Sequence, residues 1–194
     1  MGRGDKRRQI MHAAERLFTC RRYHEVTTDD IAQAAKVGKG TIYRYFKDKD
    51  DLFFQVATSG FDELCRLLSN KVPEDAPFGE QLLDACVEIG AFFDSRRELF
   101  RMMQTEGSRM YWCRKKLKER WLTKRMMLIT AVAEILDKGV KNQELRSDIP
   151  SEVMAHYLLG MLRTHARDLD PAENPRQLDQ MLSLFSSGAG RHGR

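Results

Sequence analysis

The chain has 194 residues, of which 42% are hydrophobic and 31% charged, and a formal net charge of +5. That length suits one good-sized domain, or a small head on a larger body. No run of about 18 apolar residues is present to span a membrane, and no apolar core of a signal peptide follows the basic start MGRGDKRR. These readings exclude a membrane span and lead to the expectation of a cytoplasmic protein.

Helical periodicity dominates from the start. Ile10, Ala13, Ala14, Leu17 and Phe18 form one apolar stripe at i, i+3, i+4, i+7 and i+8. Tyr23-His24-Glu25-Val26 breaks it. Thr27 followed by Thr28, Asp29 and Asp30 is a helix start signal, because a threonine hydroxyl accepts an orphan backbone N–H. A short second helix carries Ile31, Ala32 and Ala35. Lys36-Val37-Gly38-Lys39-Gly40 is too rich in glycine to continue it, and a third helix runs from 41 to 46. Asp48 caps a long fourth helix with Leu52, Phe53, Val56, Phe61, Leu64 and Leu68 inward. Pro73 and Pro77 end that region. Further helices are expected at about 78–93, around Leu99, Phe100 and Met103, at about 106–139, 151–168 and 176–186. The tail 187–194 is expected to be disordered. The fold class is therefore all-α, with no convincing strand and no internal repeat.

Charge is unevenly placed. Residues 1–60 hold 12 Lys/Arg against 8 Asp/Glu, so nearly all the basic excess sits in the first third. A basic segment on a balanced protein suits a polyanion, and nucleic acid is the commonest. Cys20, Cys65, Cys86 and Cys113 form no CxxC pair and lie far from histidine at ligand spacing, so all four read as helix-packing residues rather than metal ligands. His12, His24, His156, His165 and His192 form no catalytic or metal pattern, which argues against an enzyme and leaves no cofactor to expect. Arg3-Gly4-Asp5 spells an integrin-binding tripeptide, a coincidence in a cytosolic chain.

Residues 28–46 read as two short helices joined by a tight turn. A helix fits the major groove, and its N-terminal residues are best placed to reach base edges. Ala32 is small where the helices cross, and Val37 and Ile42 pin the turn to a core. The pattern then becomes specific. Thr27-Thr28-x-x-Ile31-Ala32-x-x-Ala35, followed by Val37-x-Lys39-Gly40-Thr41-Ile42-Tyr43-x-Tyr45-Phe46-x-x-Lys49-x-x-Leu52, resembles the TetR family of bacterial repressors over about 45 residues without gaps. Where family members have glycine, valine and serine in the turn, this chain has Lys36, Val37 and Gly38.

The resemblance implies a helix-turn-helix head at 1–48, a ligand-binding and dimerisation body at 49–187, and a tail at 188–194. It implies that Lys39, Gly40, Thr41 and Arg44 face the major groove of double-stranded DNA. It gives Thr28, Tyr43, Tyr45 and Lys49 the part of phosphate contacts, with Lys6, Arg7 and Arg8 extending the surface. Phe46 reads as a core aromatic. A left-handed Lys36 would carry strain of about 1–2 kcal/mol.

The body is rich in methionine and aromatics, which line adaptable apolar cavities. A pocket for an unidentified, largely apolar small-molecule inducer is expected from Phe61, Leu64, Phe92, Phe93, Phe100, Met103, Met110 and Tyr111; a plain hydrophobic core is the other reading of the same residues. The basic run from Arg109 to Arg125 reads as a solvated helix face. Two late amphipathic helices suit a homodimer through Tyr157, Leu158, Met161, Leu162, Leu182 and Phe185. With these features, the resemblance implies a ligand-responsive repressor that binds an inverted repeat, against the alternative of a helical interaction scaffold without specific DNA binding.

Overall fold

The computed structural model describes residues 3–70, 76–105, 115–168 and 177–190. Among these, regular structure is helical: α1 (Arg3–Cys20), a 3-10 turn (Tyr23–Glu25), α2 (Thr28–Ala34), α3 (Lys39–Tyr45), α4 (Lys49–Ala57), α5 (Phe61–Asn70), α6 (Phe78–Asp94), α7 (Arg97–Thr105), α8 (Lys115–Lys141), α9 (Ser151–Asp168) and α10 (Gln177–Ala189). No helix of the described residues is long and apolar enough to cross a membrane. The chain forms two compact units: Met1–Ser59 with Glu98–Trp121, and Gly60–Arg97 with Leu122–Arg194.

The first unit is built on the α1 stripe. Ile10, Ala14 and Phe18 are fully buried against Ile31, Ile42, Phe46, Leu52 and Phe53. Each large side chain so buried contributes about 1.5–3 kcal/mol. Helix α1 packs on α2 and α4, and α2 packs on α3. The break after α1 has a physical cause: the Tyr23 ring turns inward, 5.8 Å from Phe18 and 5.2 Å from Phe53 between centroids. The first turn of α4 secures it, since Tyr23 Oη donates to Asp50 and the Lys49 ammonium lies 4.1 Å from the Tyr23 ring centroid. Leu99 of α7 is buried in this same core, and Trp121 of α8 packs against it. The sequence placed neither residue in the head.

In the second unit, α6 packs on α5 and α9, and α9 packs on α10. Phe78 crosses α8 at Gly139, where a Cβ would stand 2.6 Å from the ring. The Cys86 thiol is buried, which pushes its pKa up to about 12. Cys65 is half-buried, Cys20 is exposed rather than packed, and Cys113 lies outside the described residues.

Two sequence expectations need correction. The fourth helix is not continuous: α4 ends at Ala57, and α5 starts at Phe61 after Gly60, whose φ of +86° leaves the helical region. Glycine adopts that conformation without the Cβ penalty, and the apolar spacing on both sides hid the break. The start of the long helix expected at about 106 lies outside the described residues; the helix is described over Lys115–Lys141. The tail is ordered further than expected: α10 extends to Ala189, and Gly190 pairs with Leu145 in an antiparallel bridge. Arg146 supplies the reason. Its N–H donates to the Ala189 carbonyl at 2.9 Å and its Nη1 to the Gly188 carbonyl at 3.3 Å.

Candidate nucleic-acid interface

The surface formed by α2 and α3 rests on local chemistry that each residue supplies. Thr27 caps α2: its hydroxyl accepts from the Asp30 N–H at 3.1 Å, and the Asp30 carboxylate accepts from the Thr27 N–H at 2.8 Å. This reciprocal box satisfies two orphan donors. The hydrogen bonds from the Thr27 side chain and backbone hold the Asp30 carboxyl below its ordinary pKa. Helix α2 ends in a Schellman turn. The Val37 N–H reaches the Ala32 carbonyl at 3.0 Å, and the Lys36 N–H reaches the Gln33 carbonyl at 3.1 Å. Lys36 takes the left-handed position with φ +48°, where glycine is the usual occupant. Gly38 then precedes α3 in an extended conformation, with open space where a side chain would stand.

Underneath, Ile31, Ala32, Ala35, Ile42 and Phe46 are buried, and Val37 packs against them. Outside, Lys39, Gly40, Tyr43 and Arg44 are exposed, while Thr28, Thr41, Tyr45 and Lys49 are half-buried. The Tyr43 and Thr28 hydroxyls stand 3.3 Å apart, tying α3 to the first turn of α2. The Lys39 ammonium donates to Asp29 at 2.7 Å. The Arg44 guanidinium lies 5.6 Å from the Tyr45 ring centroid. Thr28, Lys39, Tyr43 and Arg44 thus share one surface of a head whose inner face is apolar.

Lys49 is engaged differently from its expected part. Its ammonium donates to the carbonyls of Tyr23 at 2.9 Å and Val26 at 2.8 Å. It fastens the turn before α2 to α4. Arg7 also folds back: it donates to Gln55 and lies 5.7 Å from the Phe46 ring centroid. Sequence spacing carried no signal for either contact, since the partners are 23 to 48 residues away.

A second carboxylate organises the α3–α4 turn. Asp51 accepts from the Lys47 N–H at 3.1 Å, from Gln55 Nε2 at 2.9 Å and from Arg120 Nη1 at 2.7 Å. Burial alone would raise the Asp51 pKa, and it is the largest single influence. The hydrogen bonds from Arg120, Lys47 and Gln55, with the Arg120 charge, together outweigh it and hold the carboxyl below its ordinary value.

The residues expected to line a pocket are divided. Phe61, Leu64 and Phe93 are buried in the second unit, where Phe61 meets Phe92 edge-on at 5.0 Å and Phe92 meets Phe93 at 5.8 Å. Phe100 is buried in the first unit, 6.4 Å from Trp121 between centroids. The side chains of Met103, Met110 and Tyr111 lie outside the described residues. An open groove of about 630 Å³ in the second unit has a different lining: Cys65 of α5 and Leu122, Thr123, Met126, Met127, Thr130, Ala131 and Glu134 of α8. The i, i+4 pair Leu122 and Met126 was the available signal for it.

The residues expected at a dimer contact also divide. Leu158, Leu162 and Phe185 are buried within the second unit, Met161 and Leu182 are half-buried, and Tyr157 is 69% exposed. Leu184, which the sequence reading passed over, is 71% exposed. Tyr157, Met161 and Leu184 line one groove of about 610 Å³ with Gly160, Thr164 and Met181.

Comparison with known proteins agrees with this geometry. Residues 10–56 match the bacterial regulatory proteins of the tetR family. An HTH-type transcriptional repressor of Mycobacterium tuberculosis is 25% identical over 190 residues, covering 96% of this chain and 94% of that protein. The HTH-type transcriptional repressor AcnR of Corynebacterium glutamicum is 24% identical, covering 93% of each. Among solved structures, Salmonella enterica GusR superposes with a TM-score of 0.79 at 19% identity, covering 96% of this chain and 95% of that one. FadR of Bacillus subtilis, solved in complex with stearoyl-CoA, superposes with a TM-score of 0.76 at 20% identity, covering 93% and 97%. Residues 10–56 thus carry the helix-turn-helix of the bacterial tetR regulatory proteins, and the chain aligns over nearly its full length with HTH-type transcriptional repressors and shares the fold of the solved proteins it superposes on.

Proposed function

We propose that this regulator is a dimeric, ligand-responsive repressor that reads an inverted repeat in double-stranded DNA. The observation that carries the reading is the exposed set Lys39, Tyr43 and Arg44, with the half-buried Thr28 beside Tyr43, on the surface of α2 and α3 over a buried apolar underside. In this reading α3 enters the major groove. Lys39 and Arg44 donate to guanine O6 and N7, Thr41 offers its methyl to thymine, and Gly40 permits close approach. Thr28, Tyr43 and Tyr45 contact phosphates. Lys49 supports them by fixing the turn before α2, since two of its three donors are bonded to carbonyls of the head.

A second copy of the chain would pair through the late helices, with Tyr157 and Leu184 at the centre of the contact. Two-fold symmetry would then set the two recognition helices about one turn of DNA apart, roughly 34–36 Å. The inducer is a small, largely apolar molecule, and the α5–α8 groove has a volume within the usual range for such ligands. Relatives named as repressors and a similar fold solved with stearoyl-CoA support the repressor and ligand parts of the reading. Helix α8 carries groove residues from Leu122 onward and Arg120 two residues before them, so in this reading it is the route from ligand to head. Tenfold release of DNA needs about 1.4 kcal/mol of coupling.

Selection of bound duplexes from a random library tests this, repeated with Tyr43→Ala. An enriched inverted repeat, weakened in the variant, is the expected result. Binding without sequence enrichment would favour a helical scaffold with incidental affinity for polyanions.

A further inference from the structure

The first residue of α3 is Lys39, and a lysine there opposes the helix dipole. Its ammonium is held by Asp29, the second residue of α2, at 2.7 Å. Asp29 has no part in capping α2, because Thr27 and Asp30 already complete that box. Both partners remain open to solvent, with side chains 49% and 67% exposed, so the pair adds little to folding. A carboxylate on this surface would also be repelled by phosphates. Folding accounts for Asp29 as a first-turn acid favoured by the α2 dipole, but not for a lysine at the start of α3 paired to it, while DNA reading does.

We infer that Asp29 is a specificity-determining residue, which cancels the charge of Lys39 toward phosphates and holds its ammonium aimed at a base. This rests on the DNA-reading function proposed above. An ammonium has three protons. With one bound to Asp29, two remain, which matches the O6 and N7 acceptors that guanine shows in the major groove. The carboxylate also tethers the end of an otherwise flexible side chain, which would swing to the nearest phosphate if released. A paired Lys39 therefore contributes base discrimination without displacing counterions. A released Lys39 contributes the reverse: one more phosphate contact, and affinity for any sequence.

Two probes separate these outcomes: the duplex that the wild-type protein selects from a random library, and a mixed-sequence duplex of the same length. Affinities for both are measured against salt for wild type, Asp29→Asn, Lys39→Ala and the double variant. Asp29→Asn should bind the mixed-sequence duplex more tightly, with a salt slope steeper by about 0.9 per subunit. Its preference for the selected duplex should fall about fivefold or more. Lys39→Ala alone should lose preference without steepening the slope on mixed sequence, since it leaves the Asp29 carboxylate unpaired, and in the Asp29→Asn background it should remove the added slope. Unchanged slope and preference in Asp29→Asn would overturn the inference while leaving DNA reading intact. So would a Lys39→Ala slope change equal in both backgrounds. A wild-type protein that binds neither duplex would overturn DNA reading and this inference together. Unchanged thermal unfolding of Asp29→Asn, expected because the Thr27–Asp30 cap is separate, confirms that the comparison is between folded proteins.

Discussion

Arg120 Nη1 meets Asp51 Oδ1 at 2.7 Å, joining the early part of α8 to the first turn of α4. The guanidinium also lies 4.4 Å from the Phe54 ring centroid. The same carboxylate accepts from the Lys47 N–H and from Gln55, so any movement of Arg120 is felt at the turn that follows α3. The pair is a physical link between α8 and the α3–α4 turn, contained within one compact unit.

The pair has a pH signature. Asp51 is held below its ordinary pKa in the folded protein, so its ionised form stabilises the fold at neutral pH. That contribution is fully present above the ordinary value near 3.8 and is lost as pH falls through the depressed folded value. Asp148 behaves alike, its pKa lowered to about 2 by the hydrogen bonds from Arg146. Thermal unfolding followed from pH 7 to pH 2 should show the gap between wild type and Asp51→Asn closing at the acid end. A constant gap would remove the carboxylate charge from the explanation.

Lys36 sits at φ +48° in a position suited to glycine. Lys36→Gly should therefore raise stability by about 1 kcal/mol, through relief of the left-handed penalty offset in part by unfolded-state entropy. DNA affinity should change little, because the Schellman bonds of Lys36 and Val37 are made by the backbone. Chemical denaturation is the measurement, and a lower midpoint in the variant would contradict the strain argument.

Gly139 lies under the Phe78 ring, with 2.6 Å available to a Cβ. Gly139→Ala should cost about 1–3 kcal/mol by overpacking, despite the better helix propensity of alanine. Combining it with Phe78→Leu should cost less than the sum of the two single changes, because they share one contact. Additive losses would place the effect of the alanine elsewhere.

Tyr157 and Leu184 present large apolar surface on the second unit. Charge placed there should act on assembly, not on folding. Tyr157→Glu with Leu184→Glu is expected to shift sedimentation from dimer toward monomer while leaving the helical signal of each chain intact. A double variant that stays dimeric would move the contact to another face.

Much of this protein is determined by local sequence. The α1 stripe, the Thr27 cap with Asp30, the apolar positions Ile31, Ala32, Ala35, Ile42 and Phe46, and the exposed Tyr43 are all legible, because each depends on neighbours within a few residues. The left-handed turn at Lys36 is suggested only by the resemblance, which has glycine at that position, and the backbone shows it. Tertiary structure alone decided the rest. Whether Lys49 and Arg7 reach outward or fold back depends on carbonyls, rings and amides brought near from 23 to 48 residues away. Apolar spacing continues unbroken across Gly60, so only the backbone reveals that α4 and α5 part there. On α9, Leu158 and Tyr157 are adjacent hydrophobic residues of similar promise in sequence; α9 packs on α6 and α10, and only its orientation there buries one and exposes the other. Helical periodicity fixes which residues share a face, but the partner that covers the face is a property of the folded chain.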